Sequence, residues 1–315
     1  MSGCAAAIAA AAACLSACAD DGGRRARDGP CRAAAPVFVP AGASLIGADD
    51  GYAEERPSRS VVVGAFWLDA TEVTVGRFAE FVAEAGYRTV AERAAEPTAR
   101  SEIDQEDLRP GGAVFRPPAG LGEALNWWAF APGADWRRPD GADKAPARDC
   151  EPVTQIALAD AKAFARWAGG RLPSEAEWER AARAGRGDEG PAAPAPANAN
   201  TWQGAFPVIN TGKDGFSGRA PVAAFAANPI GLYDMIGNVW EWTADPFDAG
   251  RGVVKGGSFL CAPNYCRRYR PAARQPHEVD FSTNHLGFRV AYDAPPNAGE
   301  RPQDGPPPAR STMRK

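Results

Sequence analysis

The chain has 315 residues, enough to bury a sizeable core in one large domain or two small ones. Its formal net charge is −4 and no run of Lys and Arg forms a stripe, which argues against nucleic-acid binding. Nine Trp and fourteen Phe provide large apolar surfaces for the core.

Residues 1–18 form an Ala-rich apolar run that is short for a membrane span. The run ends in Leu15-Ser16-Ala17-Cys18, which resembles a bacterial lipobox in which Cys18 would carry the lipid anchor. We therefore predict a lipoprotein signal peptide and an exported, membrane-anchored bacterial protein. The n-region lacks Lys and Arg, so a cytoplasmic protein with an Ala-rich tail is the alternative. Residues 19–36 are predicted to be a flexible linker.

The predicted domain covers residues 37–293 and begins with two strands joined by a turn, in the segment VFVPAGASLIG. The segment VVVGAFWLDA is a further strand candidate. Apolar residues recur at helical spacing after Thr74, and Gly86 stands where such a helix would end. Residues 93–125 show no periodicity and are predicted to be a long loop.

A second helix is predicted from Ala157 to Ala168, before Gly169-Gly170. A third begins at Ser174, because Ser174-x-x-Glu177 is a capping box. Residues 185–199 read as a Pro/Ala loop, and residues 294–315 as a disordered Pro-rich tail. Few helices and many short strands predict an irregular, single-domain α+β fold with little regular secondary structure.

Two thiols, Cys261 and Cys266, stand five positions apart around Pro263. Neither a strand nor a helix brings side chains at this spacing together, whereas a bend at Pro263 could. A structural disulfide, a two-thiolate Cu(I) site and a redox-active dithiol all fit such a pair. Zinc fits less well, because it prefers four ligands and no C-x-x-C pair is present.

The residues around this pair resemble the formylglycine-generating enzymes, the sulfatase-modifying oxidases. The similarity lies in GGSFLCAPNYCRRYRPAAR followed by HLGFR, and in the upstream blocks AGGRLPSEAEWERAAR and NPIGLYDMIGNVWEWT. The resemblance implies a fold related to C-type lectins. It also implies an oxidase that uses O₂ to convert a cysteine in C-x-P-x-R motifs of unfolded sulfatases to formylglycine.

Site roles follow from the same resemblance. Cys261 and Cys266 would bind Cu(I), with Cys266 closest to thiol exchange with the substrate. Ser258 would hydrogen-bond near the sulfur or oxygen species, and Trp240 would line the metal pocket. The chain departs from the family pattern at Ala262, where relatives carry His, and at His285, where they carry Asn. Either His285 or Asn284 would have to replace that Asn.

The resemblance also implies structural calcium, which suits oxygen-rich turns. Side-chain oxygens and main-chain carbonyls would come from two groups: Asn200, Thr201, Asp214 and Phe216; and Asp234, Gly237, Val239 and Glu241. In an oxidising compartment Cys31 and Cys150 could pair.

The histidine count and the thiol pair bear on two other classes of function. Iron-dependent sulfoxide synthases of the same wider family use three histidines, and this chain has only two. The alternative function is a non-catalytic, lipid-anchored module that binds a protein or glycan. In that module Cys261 and Cys266 would form a plain structural disulfide.

Overall fold

The computed structural model describes residues 34–94, 109–118, 127–184 and 197–296. The predictions for the signal peptide, most of the linker, most of the Pro/Ala loop and most of the Pro-rich tail concern residues outside these ranges. None of the described helices is long and apolar enough to cross a membrane.

Helices and short strands alternate irregularly along the described chain. The helices are α1 (Val75–Ala85), α2 (Leu158–Trp167) and α3 (Glu175–Arg183), with a 3-10 turn at Ala53–Glu55. The strands are β1 (Val37–Val39), β2 (Gly42–Ile46), β3 (Arg59–Val63), β4 (Phe66–Leu68), β5 (Gly111–Phe115), β6 (Trp128–Pro132), β7 (Trp240–Pro246), β8 (Arg251–Lys255), β9 (Gln275–Glu278), β10 (Leu286–Gly287) and β11 (Ala291–Tyr292). The predicted α+β class with little regular structure is confirmed.

The helix ends follow the sequence signals. The Thr74 hydroxyl accepts a hydrogen bond from the Arg77 amide at 3.2 Å and caps α1, which ends at Gly86 in the left-handed region (φ 60°). At α3, the Ser174 hydroxyl accepts from the Glu177 amide at 3.2 Å. The Glu177 carboxylate accepts in turn from the Ser174 amide at 2.7 Å, so the predicted capping box is confirmed.

Two strand predictions need correction. The segment VVVGAFWLDA contributes two strands rather than one, because β3 pairs with β2 whereas β4 pairs with β1 and β11. The predicted loop over residues 93–125 contains β5, which pairs antiparallel with β6 in the register Ala113↔Phe130. Pairing with β6, rather than any local periodicity, stabilises this strand.

The four-stranded sheet positions the site that follows. Its order is β10-β7-β8-β9, with β10 parallel to β7 and the other pairs antiparallel. Buried aromatic residues of α1 and α2, including Phe78 and Phe164, pack in the same core cluster as Trp240 and Trp242 of β7. A second cluster surrounds Trp178 of α3 and contains residues of β1, β4 and β11.

Candidate active site

Cys261 and Cys266 lie in a tight turn that follows β8. The Cys261 amide donates to the Ser258 carbonyl at 2.9 Å, and the Cys266 amide donates to the Ala262 carbonyl at 3.0 Å. This second bond closes a single helical turn in which Pro263 occupies an early position. The two sulfur atoms are 3.0 Å apart and both thiols are free, so the predicted bend that joins them is confirmed.

Gly257 allows the cysteine turn to pack tightly. Its φ of 74° lies in the region that favours glycine. A Cβ at this position would approach the Tyr269 backbone to 2.9 Å and the Cys261 sulfur to 3.2 Å. The glycine directly before Ser258 is therefore required by the packing of the cysteine turn.

A cavity of about 180 Å³ opens beside the two sulfurs. Its walls combine aromatic and polar side chains. They are formed by Trp127, Trp128, Phe206, Trp240, Ser258, Leu260, Cys261, Tyr265, Cys266, Arg268, Gln275 and His285. All four residues predicted to be catalytic, namely Cys261, Cys266, Ser258 and Trp240, lie in this one wall.

The four-stranded sheet brings these residues together. Trp240 begins β7 and Gln275 begins β9, while the cysteine turn follows the end of β8. The Trp240 amide donates to the His285 carbonyl at 2.8 Å, where β10 starts beside β7. Residues from three separate chain segments therefore meet at one end of the sheet.

Ser258 and the two tryptophans of β7 occupy different environments. The Ser258 side chain is fully buried, and its hydroxyl accepts a 3.2 Å hydrogen bond from the Leu260 amide at the cavity wall. Trp242 is fully buried, and its indole N–H donates to the Ile156 carbonyl at 2.9 Å. Trp242 is thus a core residue, whereas Trp240 belongs to the cavity.

The two thiols differ in acidity. Burial, together with the hydrogen bond to Cys266, raises the pKa of Cys261 well above the ordinary thiol value. That same hydrogen bond lowers the pKa of Cys266 to about 7; burial opposes this effect, and the amide and guanidinium of Arg268 reinforce it. Cys266 is therefore the more acidic thiol of the pair, and Cys261 is the hydrogen-bond partner that stabilises its ionised form.

A second segment of the chain holds Arg268 beside the thiol pair. The guanidinium lies 4.0 Å from the centre of the Tyr52 ring, and its Nε donates to Glu54 at 2.9 Å. The Tyr52 hydroxyl also accepts from the Arg267 amide at 3.1 Å. The segment around the 3-10 turn therefore holds the positively charged Arg268 side chain beside the thiol pair.

The acidity difference makes a prediction for alkylation. The thiolate is the reactive form, so the rate at which iodoacetamide modifies Cys266 should rise with pH through a midpoint near 7. In Cys261→Ala the stabilising donor is lost, and the midpoint should move up toward the ordinary value of about 8.5. Mass spectrometry of alkylation rates between about pH 5 and 10 measures both. An unchanged midpoint in Cys261→Ala would contradict the assigned roles.

His285, rather than Asn284, faces the thiol cavity. The Asn284 amide group donates to Asp140 at 2.8 Å, and its carbonyl oxygen accepts from the Phe115 amide at 3.2 Å. These bonds turn Asn284 away from the sulfurs. Burial lowers the pKa of His285 to about 3, so its ring is neutral at physiological pH.

Hydrogen bonds link residues of the first predicted calcium group to one another. The Asp214 carboxylate accepts from the amides of Thr201 (3.2 Å) and Phe216 (3.0 Å). Asn200 precedes Thr201 and uses its side-chain NH₂ to bond the Gly218 carbonyl at 2.9 Å. Burial raises the pKa of Asp214, because the ionised carboxylate loses contact with water. A cation bound beside the carboxylate would stabilise its negative charge and offset this effect.

The second predicted group is arranged differently. Both Glu241 oxygens accept from Arg289, at 2.6 Å each, and the Trp178 indole donates to the same carboxylate at 2.7 Å. Asp234 has a φ of 54° and accepts from the Ala223 amide at 2.7 Å. Gly237 and Val239 lie in the turn between the two carboxylates. A calcium ion here would compete with Arg289 for Glu241.

Within the described ranges, no cluster of three or more His, Cys, Asp or Glu side chains is placed to hold a metal. The thiol pair is thus a two-ligand site, which differs from the four-ligand arrangement of structural zinc. Cys150 is disulfide-bonded. Cys31, with which it was predicted to pair, lies outside the described residues.

Several cavity residues were not predicted from the sequence. Trp127, Trp128, Phe206 and Gln275 come from segments that sequence spacing does not connect to the cysteines. The Phe206 ring stacks on Tyr265 with ring centres 4.3 Å apart, which places it next to the turn. The aromatic pair at residues 127–128 was the one local signal that could have identified part of this wall.

Comparison with known proteins gives a consistent family match. The model of the sulfatase-modifying factor enzyme 1-like domain matches residues 24–294. A formylglycine-generating enzyme of Mycobacterium tuberculosis is 45% identical over 294 residues, which cover 82% of this chain and 97% of that protein. A mouse protein described as an inactive Cα-formylglycine-generating enzyme 2 is 38% identical and covers 82% of this chain and 86% of its own length.

The fold has a matching solved structure. PvdO from Pseudomonas aeruginosa superposes with a TM-score of 0.58 and 21% identity, covering 83% of this chain and 95% of that chain. At this identity the match concerns the fold alone. It agrees with the irregular architecture of few helices and many short strands.

Proposed function

This chain belongs to the sulfatase-modifying factor enzyme 1-like family, and we propose that it is an oxidase that converts a cysteine of sulfatase polypeptides to formylglycine. One observation carries the proposal. Two free thiols stand 3.0 Å apart in the wall of a cavity of about 180 Å³. An apolar cavity of about 150 Å³ can hold a benzene-sized molecule, so this one has room for a single substrate side chain.

Copper is the proposed cofactor, and the donor set fits it. Cys261 and Cys266 are soft sulfur ligands that suit Cu(I) better than the harder divalent ions. The pKa of Cys266 is lowered to about 7, so this thiol is partly ionised at neutral pH. Bound between these sulfurs, Cu(I) would supply one-electron chemistry toward O₂ and a place for a substrate thiolate.

The residues of the chain would prepare the site for that chemistry. The tryptophans at 127, 128 and 240 line the cavity and would restrict the access of water to the sulfurs, which would limit side reactions. The Ser258 hydroxyl, held in place by the Leu260 amide, presents a hydrogen-bonding group to the cavity. Arg268 stabilises negative charge on Cys266.

The proposed reaction oxidises the substrate cysteine at Cβ. The C–H and S–H hydrogens of the cysteine leave as two electrons and two protons, which reduce O₂ to hydrogen peroxide. The C–S single bond thereby becomes the C=S bond of a thioaldehyde. Water then adds to that carbon and hydrogen sulfide leaves, so that an aldehyde remains. Serine, the oxygen counterpart of cysteine, would not bind the soft metal site as a thiolate does.

Two peptides with the C-x-P-x-R motif test this function. The reduced protein, supplied with Cu(I) and air, should convert the cysteine peptide to an aldehyde that an aminooxy reagent captures. The matched peptide with serine at the target position should remain unchanged. Conversion of both peptides, or of neither, would overturn the proposal.

A second candidate function is a binding module of the same fold, favoured by the similarity to the mouse protein described as inactive. In this case Cys261 and Cys266 would be a plain disulfide, and the sulfatase peptide would bind without being changed. Binding of the peptide with no aldehyde formed in the presence of copper and O₂ would favour the module.

Two further proposals concern stability and location. We propose that the Asp214 group, and less readily the Glu241 group, binds structural Ca²⁺ and fixes turns that contain little regular structure. We also propose that the N-terminus exports the protein and anchors it at Cys18. Fusion of residues 1–30 to a reporter, followed by membrane fractionation, tests the second proposal.

A further inference from the structure

Two ion pairs attach the 3-10 turn at Ala53–Glu55 to the segment that carries the thiols. Glu55 pairs with Arg270, and both of these side chains are buried. Glu54 pairs with Arg268, and one Glu54 oxygen accepts hydrogen bonds from both Nε and Nη2 of the guanidinium. Although 214 positions separate Glu54 from Arg268, the turn is therefore fastened at two points directly after the cysteine pair.

Glu54 and Tyr52 together determine where the Arg268 guanidinium lies. Burial alone would raise the pKa of Glu54, but the hydrogen bond and charge of Arg268 outweigh it, so the carboxylate is ionised. The Tyr52 ring lies against the guanidinium with 4.0 Å between them. The Arg268 side chain keeps 26% of its surface exposed, so without Glu54 it could turn toward solvent.

Arg268 carries the one permanent charge among the described residues that line the thiol cavity. The other polar side chains there are neutral, and burial keeps His285 uncharged by lowering its pKa to about 3. The hydrogen bond with Cys261 is the main cause that lowers the pKa of Cys266, and the amide and guanidinium of Arg268 add to it. A negative charge on the sulfurs therefore has Arg268 as its cationic neighbour.

A cuprous ion on this thiol pair would create such a charge. Cysteine binds a metal as the thiolate, so both Cys261 and Cys266 would lose their protons. Two thiolates and one Cu(I) sum to one net negative charge, and a substrate thiolate would add a second. A buried net charge is costly unless an opposite charge lies beside it. The copper site therefore needs a fixed cation, and Arg268 is placed to be that cation.

We propose that Glu54 is a positioning residue of the copper site, which fixes the Arg268 guanidinium as the counter-ion of an anionic Cu(I)–thiolate centre on Cys261 and Cys266. This inference rests on the proposed function, because it requires copper at the thiol pair. Glu54 does not line the thiol cavity and would act only through Arg268. Tyr52 contributes to the same placement through its contact with the guanidinium.

The affinity for Cu(I) tests this role without any turnover. Competition with a colorimetric Cu(I) chelator under argon measures Kd for the reduced protein. Glu54→Leu and Arg268→Met should each raise Kd about ten- to hundredfold, the range for a lost hydrogen bond to a charged group. Glu54→Gln keeps an oxygen that accepts from the guanidinium, so its Kd should stay within about threefold of the wild-type value.

A double variant shows whether Glu54 acts through Arg268. Glu54→Leu combined with Arg268→Met should bind Cu(I) about as tightly as Arg268→Met alone, because residues that act through one contact are not additive. Additive losses in the double variant, or a wild-type Kd in Glu54→Leu, would overturn the proposal. Glu54→Ser removes the same carboxylate and takes the place of Glu54→Leu if that variant does not fold.

Glu92→Leu is the matched control. Glu92 accepts from Arg137 at 2.8 Å, and the Arg137 guanidinium lies 4.0 Å from the centre of the Trp136 ring. This trio repeats the carboxylate, guanidinium and aromatic ring of the Glu54 cluster, but it does not line the thiol cavity. Glu92→Leu should leave the Kd for Cu(I) unchanged, and thermal melts of the metal-free variants verify that each one folds.

The same proteins separate this inference from the proposed function. Weaker Cu(I) binding by Glu54→Leu, with no aldehyde formed by the wild type, would support the role of Glu54 and contradict the oxidase. Aldehyde formed by the wild type, with an unchanged Kd in Glu54→Leu, would overturn the inference and leave the oxidase standing. Failure of the wild type to bind Cu(I) would overturn both the copper site and the role of Glu54.

Discussion

Replacement of Cys266 by Ala should abolish conversion of the sulfatase peptide, with kcat lowered by roughly 10³-fold or more. The reason is that Cys266 is the more acidic thiol of the pair, while its partner sulfur lies 3.0 Å away and stabilises its ionised form. Cys261→Ala should cause a loss of similar size. The two thiols act as a unit, so the double variant should be no worse than either single variant.

Steady-state assays with mass-spectrometric detection of the aldehyde measure these losses. The serine peptide provides the control for folding, because each cysteine variant should still bind it with a Kd close to that of the wild type. Loss of binding in a variant would assign the defect to the shape of the cavity. A single variant that keeps more than about a tenth of the wild-type kcat would contradict the paired-thiol mechanism.

Replacement of Arg289 by Met should strongly lower the stability of the folded protein. Arg289 and Glu241 are both fully buried and are joined by two hydrogen bonds of 2.6 Å. Removal of one partner leaves an uncompensated buried charge and should lower the free energy of unfolding by about 3–5 kcal/mol. For a domain of this size, that corresponds to a fall in Tm of roughly 6–20 °C.

A double variant and a surface pair provide the controls. Glu241→Met combined with Arg289→Met removes both charges and should recover much of the stability. Arg251→Met breaks the exposed pair with Asp248 and should cost no more than about 1 kcal/mol. Denaturation monitored by circular dichroism compares all four proteins. Equal losses of stability for Arg289→Met and Arg251→Met would contradict the claim that burial makes the Arg289–Glu241 pair costlier to break than an exposed pair.

The sequence was most informative where local chemistry determines structure. The caps at Thr74 and Ser174 and the glycine at Gly86 act within one helical turn, and the structure places α1 and α3 as they predict. The bend at Pro263 is equally local, since four intervening residues close it. These features follow from donors, acceptors and backbone freedom that the residues themselves carry.

Long-range pairing explains what the sequence did not predict. Strand β5 has no alternation of its own and exists because β6 supplies its partner. Trp128 and Gln275 reach the thiol cavity only because separate sheets end beside it, and His285 does so because β10 aligns with β7. The charge pair between Glu241 and Arg289 was also missed, since 48 positions separate the two residues.

The most direct measurement compares wild type with the Cys261→Ala/Cys266→Ala double variant, both supplied with the same amount of Cu(I), on one cysteine peptide in air and under argon. The intact mass of the peptide should change from thiol to aldehyde only with the wild type in air, in step with O₂ consumed at an electrode. Aldehyde formed by the double variant, or by the wild type without O₂, would contradict an oxidation that depends on this thiol pair.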